Sequence, residues 1–276
     1  MEAINQFSIH YDFPPKKTRP ASRGLVICDG KVLLTYEKNT DIYMSPGGGR
    51  EEGEPFEECC IREIKEESGY DVKITAPFAV INEYCFETCY EAHYFICEIV
   101  GKGEAQLTST EIEHGVEPRW LPISEAIEIF STYDEKTEDH RSLYMREFTM
   151  LNKYLDLEKR EELYKNFLGK TVDIKIDRPI GYVHKKGDYS ITYPVNYGII
   201  PDVFAADGEE LDVYLLGVNE PVAEYTAKII GVVRRYNDNE DKLIAVPEGI
   251  TLTKDEITSA IHFQEQYFDS GIEIFD

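Results

Sequence analysis

The stretch Gly48–Tyr70, GGREEGEPFEECCIREIKEESGY, decides how the first half of the chain is read. Pro55 suits the first turn of a helix and Gly69 its end, which predicts a helix between them. Within it Glu63, Glu66 and Glu67 are spaced i, i+3 and i+4 and so project from one face. Three like charges held together destabilise an isolated helix. A divalent cation removes that conflict, and oxygen donors suit Mg2+ or Mn2+. Phe56, Cys60 and Ile64 form the neighbouring apolar stripe that can dock the helix on a sheet. Just upstream, Pro46-Gly47-Gly48-Gly49 makes a loop whose backbone can approach a ligand closely.

Taken together, Gly48, Glu54, Arg62, Glu63, Ile64, Glu66, Glu67, Gly69 and Tyr70 stand at the spacing of the Nudix box, so the segment resembles the Nudix hydrolase family. The resemblance implies an α/β/α sandwich with a mixed sheet over about residues 20 to 155. It implies that Glu63, Glu66 and Glu67 hold the metals, that the Gly48 carbonyl adds a ligand, and that Glu54 and Arg62 form a structural ion pair. Water activated between metal and carboxylate would attack a phosphorus, with the metals neutralising charge on the bridging oxygen. Glu63 and Glu117 are the candidates for general base, with Glu111 and Glu113 as rivals. The expected substrate is a nucleoside diphosphate derivative: a nucleoside triphosphate, an oxidised nucleotide or an ADP-ribose type molecule. Trp120, Tyr43 and Phe86 could stack a base, although core or rim packing is the commoner use of such rings.

Outward from this helix, GLVICDGKVLLTY reads as a hairpin hinged on Asp29-Gly30. Ala79 to Val100 predicts two strands and Pro118 to Ile123 a short one. Ser124 is placed to cap a helix over Glu125 to Phe130. Two helical pieces follow, Asp139 to Leu155 and Leu157 to Phe167, with the domain boundary near Gly169-Lys170. The expected domains are therefore 1–168 and 169–276. Beyond the boundary, strands are predicted at Val172–Ile176, Leu211–Leu216, Tyr225–Arg235 and Leu243–Val246. A helix is predicted over Lys254 to Phe268, with Thr253 and Glu256 spaced as a capping box. The fold class is α+β, ending in a small β-rich domain with one helix.

In that second part YPVNYGIIPDVFAADGEELDVYLLG, Tyr193 to Gly217, resembles the soluble inorganic pyrophosphatase family, over about residues 170 to 270. The resemblance implies a small β-barrel in which Asp207, Glu209 and Asp212 bind Mg2+ around pyrophosphate. Tyr193 and Tyr197 would line the pocket and Lys242 would contact phosphate, with Asp238 or Asp241 as further ligands. Three departures stand out. Glu209 replaces an aspartate, Phe268 stands where a phosphate-binding lysine is expected, and the family's early basic and acidic residues find no match. His184, Lys185 and Lys186 are an alternative source of positive charge. Pyrophosphatase activity here therefore competes with a non-catalytic role in ligand sensing or homo-oligomer formation.

The 276 residues allow two ordinary domains, and 42% hydrophobic with 30% charged residues fits a globular chain. A net charge of −24 argues against an extended nucleic-acid surface, which needs clustered Lys and Arg. It still permits an anionic substrate bridged by divalent cations. No apolar run approaches membrane-spanning length, and the opening residues lack a signal-peptide core, so a cytoplasmic protein is expected. The six cysteines show no paired CxxC pattern and read as reduced, Cys59 and Cys60 as buried apolar groups. The rival to an enzyme is a regulator that binds nucleotides or pyrophosphate without turnover. A Nudix unit releasing pyrophosphate and a second unit removing it would work in series.

Overall fold

The computed structural model describes residues 3–187, 189–205, 208–236, 238 and 240–275. The chain divides into two compact units, Glu2–Tyr154 and Leu155–Asp276.

The first unit runs through strands β1 (Ile4–Tyr11), β2 (Lys17–Cys28), β3 (Lys31–Glu37), β4 (Ile42–Met44) and β5 (Gly47–Gly49), then helix α1 (Phe56–Ser68). Strands β6 (Tyr70–Phe86) and β7 (Thr88–Lys102), helix α2 (Ser109–His114), strand β8 (Val116–Pro122) and helices α3 (Ile123–Ser131) and α4 (Glu138–Lys165) follow. The strands form one sheet in the order β1-β6-β7-β2-β3-β4, with β5 added to β2 and β8 to β3. Two pairings, β1 with β6 and β2 with β7, are parallel and the rest antiparallel, so the sheet is mixed. The hairpin between β2 and β3 turns on Asp29 and Gly30, at φ 50° and 71°, the double positive φ of a type I′ turn.

Helix α1 ends on Gly69 in the left-handed conformation, whose N–H bonds to the Lys65 carbonyl. Pro55 is the cap rather than the first helical residue, because its extended ψ of 146° stops the helix one position short. The expected apolar stripe is in place: Cys60 and Ile64 are buried with Val26, Leu33, Phe95 and Cys97, and Phe56 packs on the same cluster. Burying an isoleucine contributes about 1.5–3 kcal/mol, enough to fix the helix on the sheet while its opposite face carries charge.

Several elements differ from the sequence-based expectation. Strand β1 was not anticipated, because its alternation is polar inward: Gln6 and Ser8 are buried while Phe7 and Ile9 are exposed. Polar partners explain this, since Gln6 donates from Nε2 to the Ser142 carbonyl at 2.7 Å. Ser124 does not cap α3. The helix starts at Ile123 with Pro122 as its cap residue, and no side chain bonds the free N–H groups there. The two predicted helical pieces are one helix, α4, which belongs to the first unit up to Tyr154 and to the second from Leu155.

The second unit holds β9 (Thr171–Arg178), β10 (Val183–Lys186), β11 (Tyr189–Thr192), β12 (Asn196–Phe204), β13 (Glu210–Leu215), β14 (Glu224–Arg235), β15 (Lys242–Val246), α5 (Lys254–Glu265) and β16 (Ser270–Ile274). The order β15-β13-β12-β9-β14, with β14 pairing back to β15, closes a five-stranded barrel, and β16 adds to β14 outside the ring. Closure removes free edges and turns alternate side chains inward. Leu211, Val213, Leu215, Val232, Leu243 and Ala245 accordingly fill a core. Both arms of the Thr253–Glu256 capping box are formed at the start of α5. Strands β12 and β16 were not anticipated, the former because Asn196, Gly198 and Pro201 interrupt its apolar pattern.

Candidate active site

In the first unit the site is built where α1 meets the glycine strand β5. Arg62 is its electrostatic hub. Its Nε and Nη2 grip the two Glu54 oxygens at 2.7 and 2.9 Å, a bidentate pair that draws Glu54 down to about 2. Its Nη1 reaches Glu63 Oε1 at 2.8 Å and Glu66 Oε2 at 3.1 Å. One guanidinium thus holds the loop carboxylate and two of the helix carboxylates.

Glu63 and Glu67 point into the loop. A β-carbon on Gly48 would stand 2.3 Å from Glu63 Oε2, so the carboxylate rests directly on the glycine backbone. Glu67 Oε2 accepts the Gly47 N–H at 2.9 Å. Burial raises Glu63 against the pull of Arg62, and raises Glu67 to about 8 against the Gly47 N–H and Arg23. Carboxylates that are costly to ionise, facing a backbone carbonyl strand, make an all-oxygen donor set suited to a hard cation. Among the described residues no three such groups are already gathered tightly enough to grip one ion, because Glu63 and Glu66 close on Arg62.

Glu117 lies apart from this arrangement in its bonding. Lys38 Nζ at 2.5 Å and Arg119 Nη2 at 2.7 Å both bind it and hold its carboxyl below the ordinary range. Its rival Glu111 adds repulsion at both Glu63 and Glu67, while its own side chain closes the capping box of α2. Trp120 donates to the Tyr70 hydroxyl at 3.0 Å and packs with the α1 cluster, and Tyr43 packs on Tyr36. Of the three proposed stacking rings, Phe86 borders the cavity beside Gly48.

That cavity, about 410 Å3, opens beside Gly48 and Gly49 and is bordered by Arg19, Arg23, Phe86 and Tyr90. Its floor is a buried polar network. Arg146 Nη1 bonds Glu83 Oε2 at 2.5 Å and Nη2 bonds Glu147 Oε1 at 2.8 Å, while the Ser142 hydroxyl donates to Glu83 Oε1 at 2.9 Å. Arg23 donates to the Ser45 carbonyl at 2.8 Å and keeps a buried Nε without a partner. Every polar group in this floor save that one is satisfied, which makes the cavity a rigid wall.

In the second unit Tyr193 and Tyr197 are buried, Tyr197 on β12 opposite Tyr214 of β13. Lys242, also buried, bonds Asp212 and reaches Glu240 Oε2 at 2.6 Å. Burial and the neighbouring Asp212 raise Glu240 to about 7, while Asp212, though buried, is held low by Glu240 and Lys242. Arg178 at the end of β9 donates to the Tyr193 hydroxyl at 2.8 Å and lies 5.0 Å from the Tyr197 ring. Arg178 and Glu240 are the residues that reading the sequence missed. Each had a signal, Arg178 in DRPIG after a clear strand and Glu240 two positions before Lys242. Asp241, by contrast, is spent on Arg160, Arg234 and the Arg235 N–H, and Asp238 bonds Arg235. Glu209 is exposed, and Asp207 lies outside the described residues. All six cysteines are free thiols.

Comparison with known proteins agrees with both halves. Residues 18–146 match the NUDIX domain model and residues 169–275 the inorganic pyrophosphatase model. A Bacillus subtilis (strain 168) protein named "Putative 8-oxo-dGTP diphosphatase" is 35% identical over 95 residues, 34% of this chain and 62% of the relative. Soluble inorganic pyrophosphatase 2 of Chlamydomonas reinhardtii is 39% identical over 85 residues, 28% of this chain and 44% of the relative. The chain thus spans about half the length of the curated relatives it matches. The chain therefore carries a match to the NUDIX domain followed by a match to the inorganic pyrophosphatase domain, each over its own part of the sequence.

Proposed function

We propose that the first domain hydrolyses a phosphoanhydride bond in a nucleoside diphosphate derivative, with Mg2+ or Mn2+ held by Glu63, Glu66, Glu67 and the Gly48 carbonyl. The observation that carries this reading is the seating of Glu63 on Gly48 beside a cavity large enough for an organic ligand. The cation, when bound, supplies Lewis-acid neutralisation of charge on the phosphate oxygens. The chain's own residues do the rest. Glu54 and Arg62 brace the loop against α1, and the Gly47 N–H orients Glu67. Glu63, which rests on Gly48, is the better placed acid to take a proton, since Glu117 is spent on Lys38 and Arg119 and Glu111 on the capping box of α2.

The second domain, taken from residue 169 onward, is read as a pyrophosphate site built from Arg178, Tyr193, Tyr197 and Lys242, with Asp212 and Glu240 as its acids. One observation favours binding without turnover as the second reading: Lys242 is already neutralised between Asp212 and Glu240. A net charge of −24 supports small anionic substrates over extended nucleic acid. Six free thiols support a reducing compartment such as the cytoplasm. No described helix is long and apolar enough to cross a membrane.

The test is nucleotide hydrolysis with and without Mg2+. Nucleoside triphosphate, an oxidised nucleotide and ADP-ribose are offered in turn, and EDTA must abolish release of the monophosphate. Turnover that persists in EDTA would remove the metal from the account. Accumulation of pyrophosphate from the triphosphate would favour the non-catalytic reading of the second domain, and orthophosphate the catalytic one.

A further inference from the structure

Three guanidinium groups border the cavity beside Gly48, and they are not equivalent. Arg146 is buried and spent on Glu83 and Glu147. Arg23 directs Nη1 at the Ser45 and Gly47 carbonyls. Arg19 is exposed on the same face of β2, and among the described residues no hydrogen bond or ion pair engages it. Its Nη2 lies 3.9 Å from where a β-carbon on Gly49 would stand, one residue from the glycine on which Glu63 rests. A free planar donor fork at that place matches a phosphate oxygen pair.

Two aromatic rings line the same cavity. Phe86 sits at the tight turn between β6 and β7 with φ 49°, a conformation that bulky side chains rarely adopt. Strain of this kind persists where the surroundings fix it and often marks a ligand contact. The ring is half exposed and lies parallel to His10, 6.3 Å away at 11°, so one face is backed by protein. Tyr90 of β7 is a second partly exposed ring on the same cavity.

We propose that Arg19 is a specificity-determining residue that holds the phosphate remaining on the nucleoside, while Phe86 stacks its base. The inference rests on the proposed reading of the first domain, and it sets the direction of the substrate. The nucleoside monophosphate half occupies the cavity, and the departing group lies toward α1. Selection then falls on a base joined to a phosphate, and the group beyond the broken bond is read less strictly.

Calorimetric binding of AMP, adenosine and ribose 5-phosphate to the full chain separates the two contacts. Arg19→Ala should weaken AMP about tenfold or more, the scale of a charge-assisted hydrogen bond, and leave adenosine unchanged. Phe86→Ala should weaken AMP and adenosine alike, about fivefold or more, and leave ribose 5-phosphate unchanged. Both residues are surface groups, so the variants should keep the unfolding midpoint of the parent chain. Equal losses of AMP and adenosine in Arg19→Ala, no loss of AMP, or no AMP binding to the unaltered chain would each overturn the inference. These readings need no turnover, so they remain decisive even if the hydrolysis test fails.

Discussion

Glu63 rests on Gly48: a β-carbon at that glycine would lie 2.3 Å from Oε2 and 2.6 Å from Cδ of the glutamate. The contact joins the glycine strand to the carboxylate helix without any side chain between them, and both groups are in the proposed ligand set.

Gly48→Ala should therefore cost activity far more than stability. The added methyl must push Glu63 away by more than an ångström, and misplacement on that scale costs about 100-fold in rate. Steady-state hydrolysis and thermal unfolding of the variant check this. Full activity would show that the position of Glu63 is immaterial.

Glu54 gives a pH dependence with a definite sign. Its carboxyl is drawn from an ordinary 4.5 to about 2 by Arg62, so its folded value is depressed. Its contribution to stability is fully present above about 4.5 and lost as pH falls through about 2. Denaturation of the parent chain and Glu54→Gln should differ most above pH 5 and converge near pH 2. A constant difference across that range would contradict the pairing.

Under the cavity, Glu147 has no exposure and accepts from Ser45 Oγ at 2.5 Å, Tyr94 at 3.0 Å and Arg146 at 2.8 Å. Burial alone would raise it, but Arg146, Arg23 and Ser45 outweigh that and hold it low. Glu147→Leu should cost about 3–5 kcal/mol in chemical denaturation, since Arg146 loses half of its buried counter-charge. A loss under 1 kcal/mol would mean that Glu83 alone suffices.

In the second domain, Arg178→Ala should lower the affinity for pyrophosphate about tenfold or more by removing the cation against Tyr193 and Tyr197. Titration of pyrophosphate into both chains decides it, and equal affinities would remove Arg178 from the site.

How much of this was legible beforehand depended on whether backbone or packing carried the signal. The residues from Gly48 to Tyr70 announce their helix and carboxylate face because a cap, a stripe and a charge row share one period. Strand β1 hid itself, since its inward residues are Gln6 and Ser8, and the partner that satisfies Gln6, Ser142, lies more than a hundred positions away. The split near Asp156 in α4 and the cap given to Ser124 were local readings, and they yielded to a continuous helix and to Pro122. Glu240 was passed over for its neighbours because alternation along a loop does not show which acid turns inward. Asp241 turns instead to the arginines of β14.

The most direct test of the central claim compares the full chain with the Glu66→Gln, Glu67→Gln double variant in Mg2+-dependent release of nucleoside monophosphate from the nucleotide panel. The account predicts that the double variant folds, keeps its unfolding midpoint within a few degrees, and loses turnover by at least about 1,000-fold, the scale on which preorganised charge acts. Unchanged release would take the carboxylates of α1 out of the mechanism and contradict the proposed function.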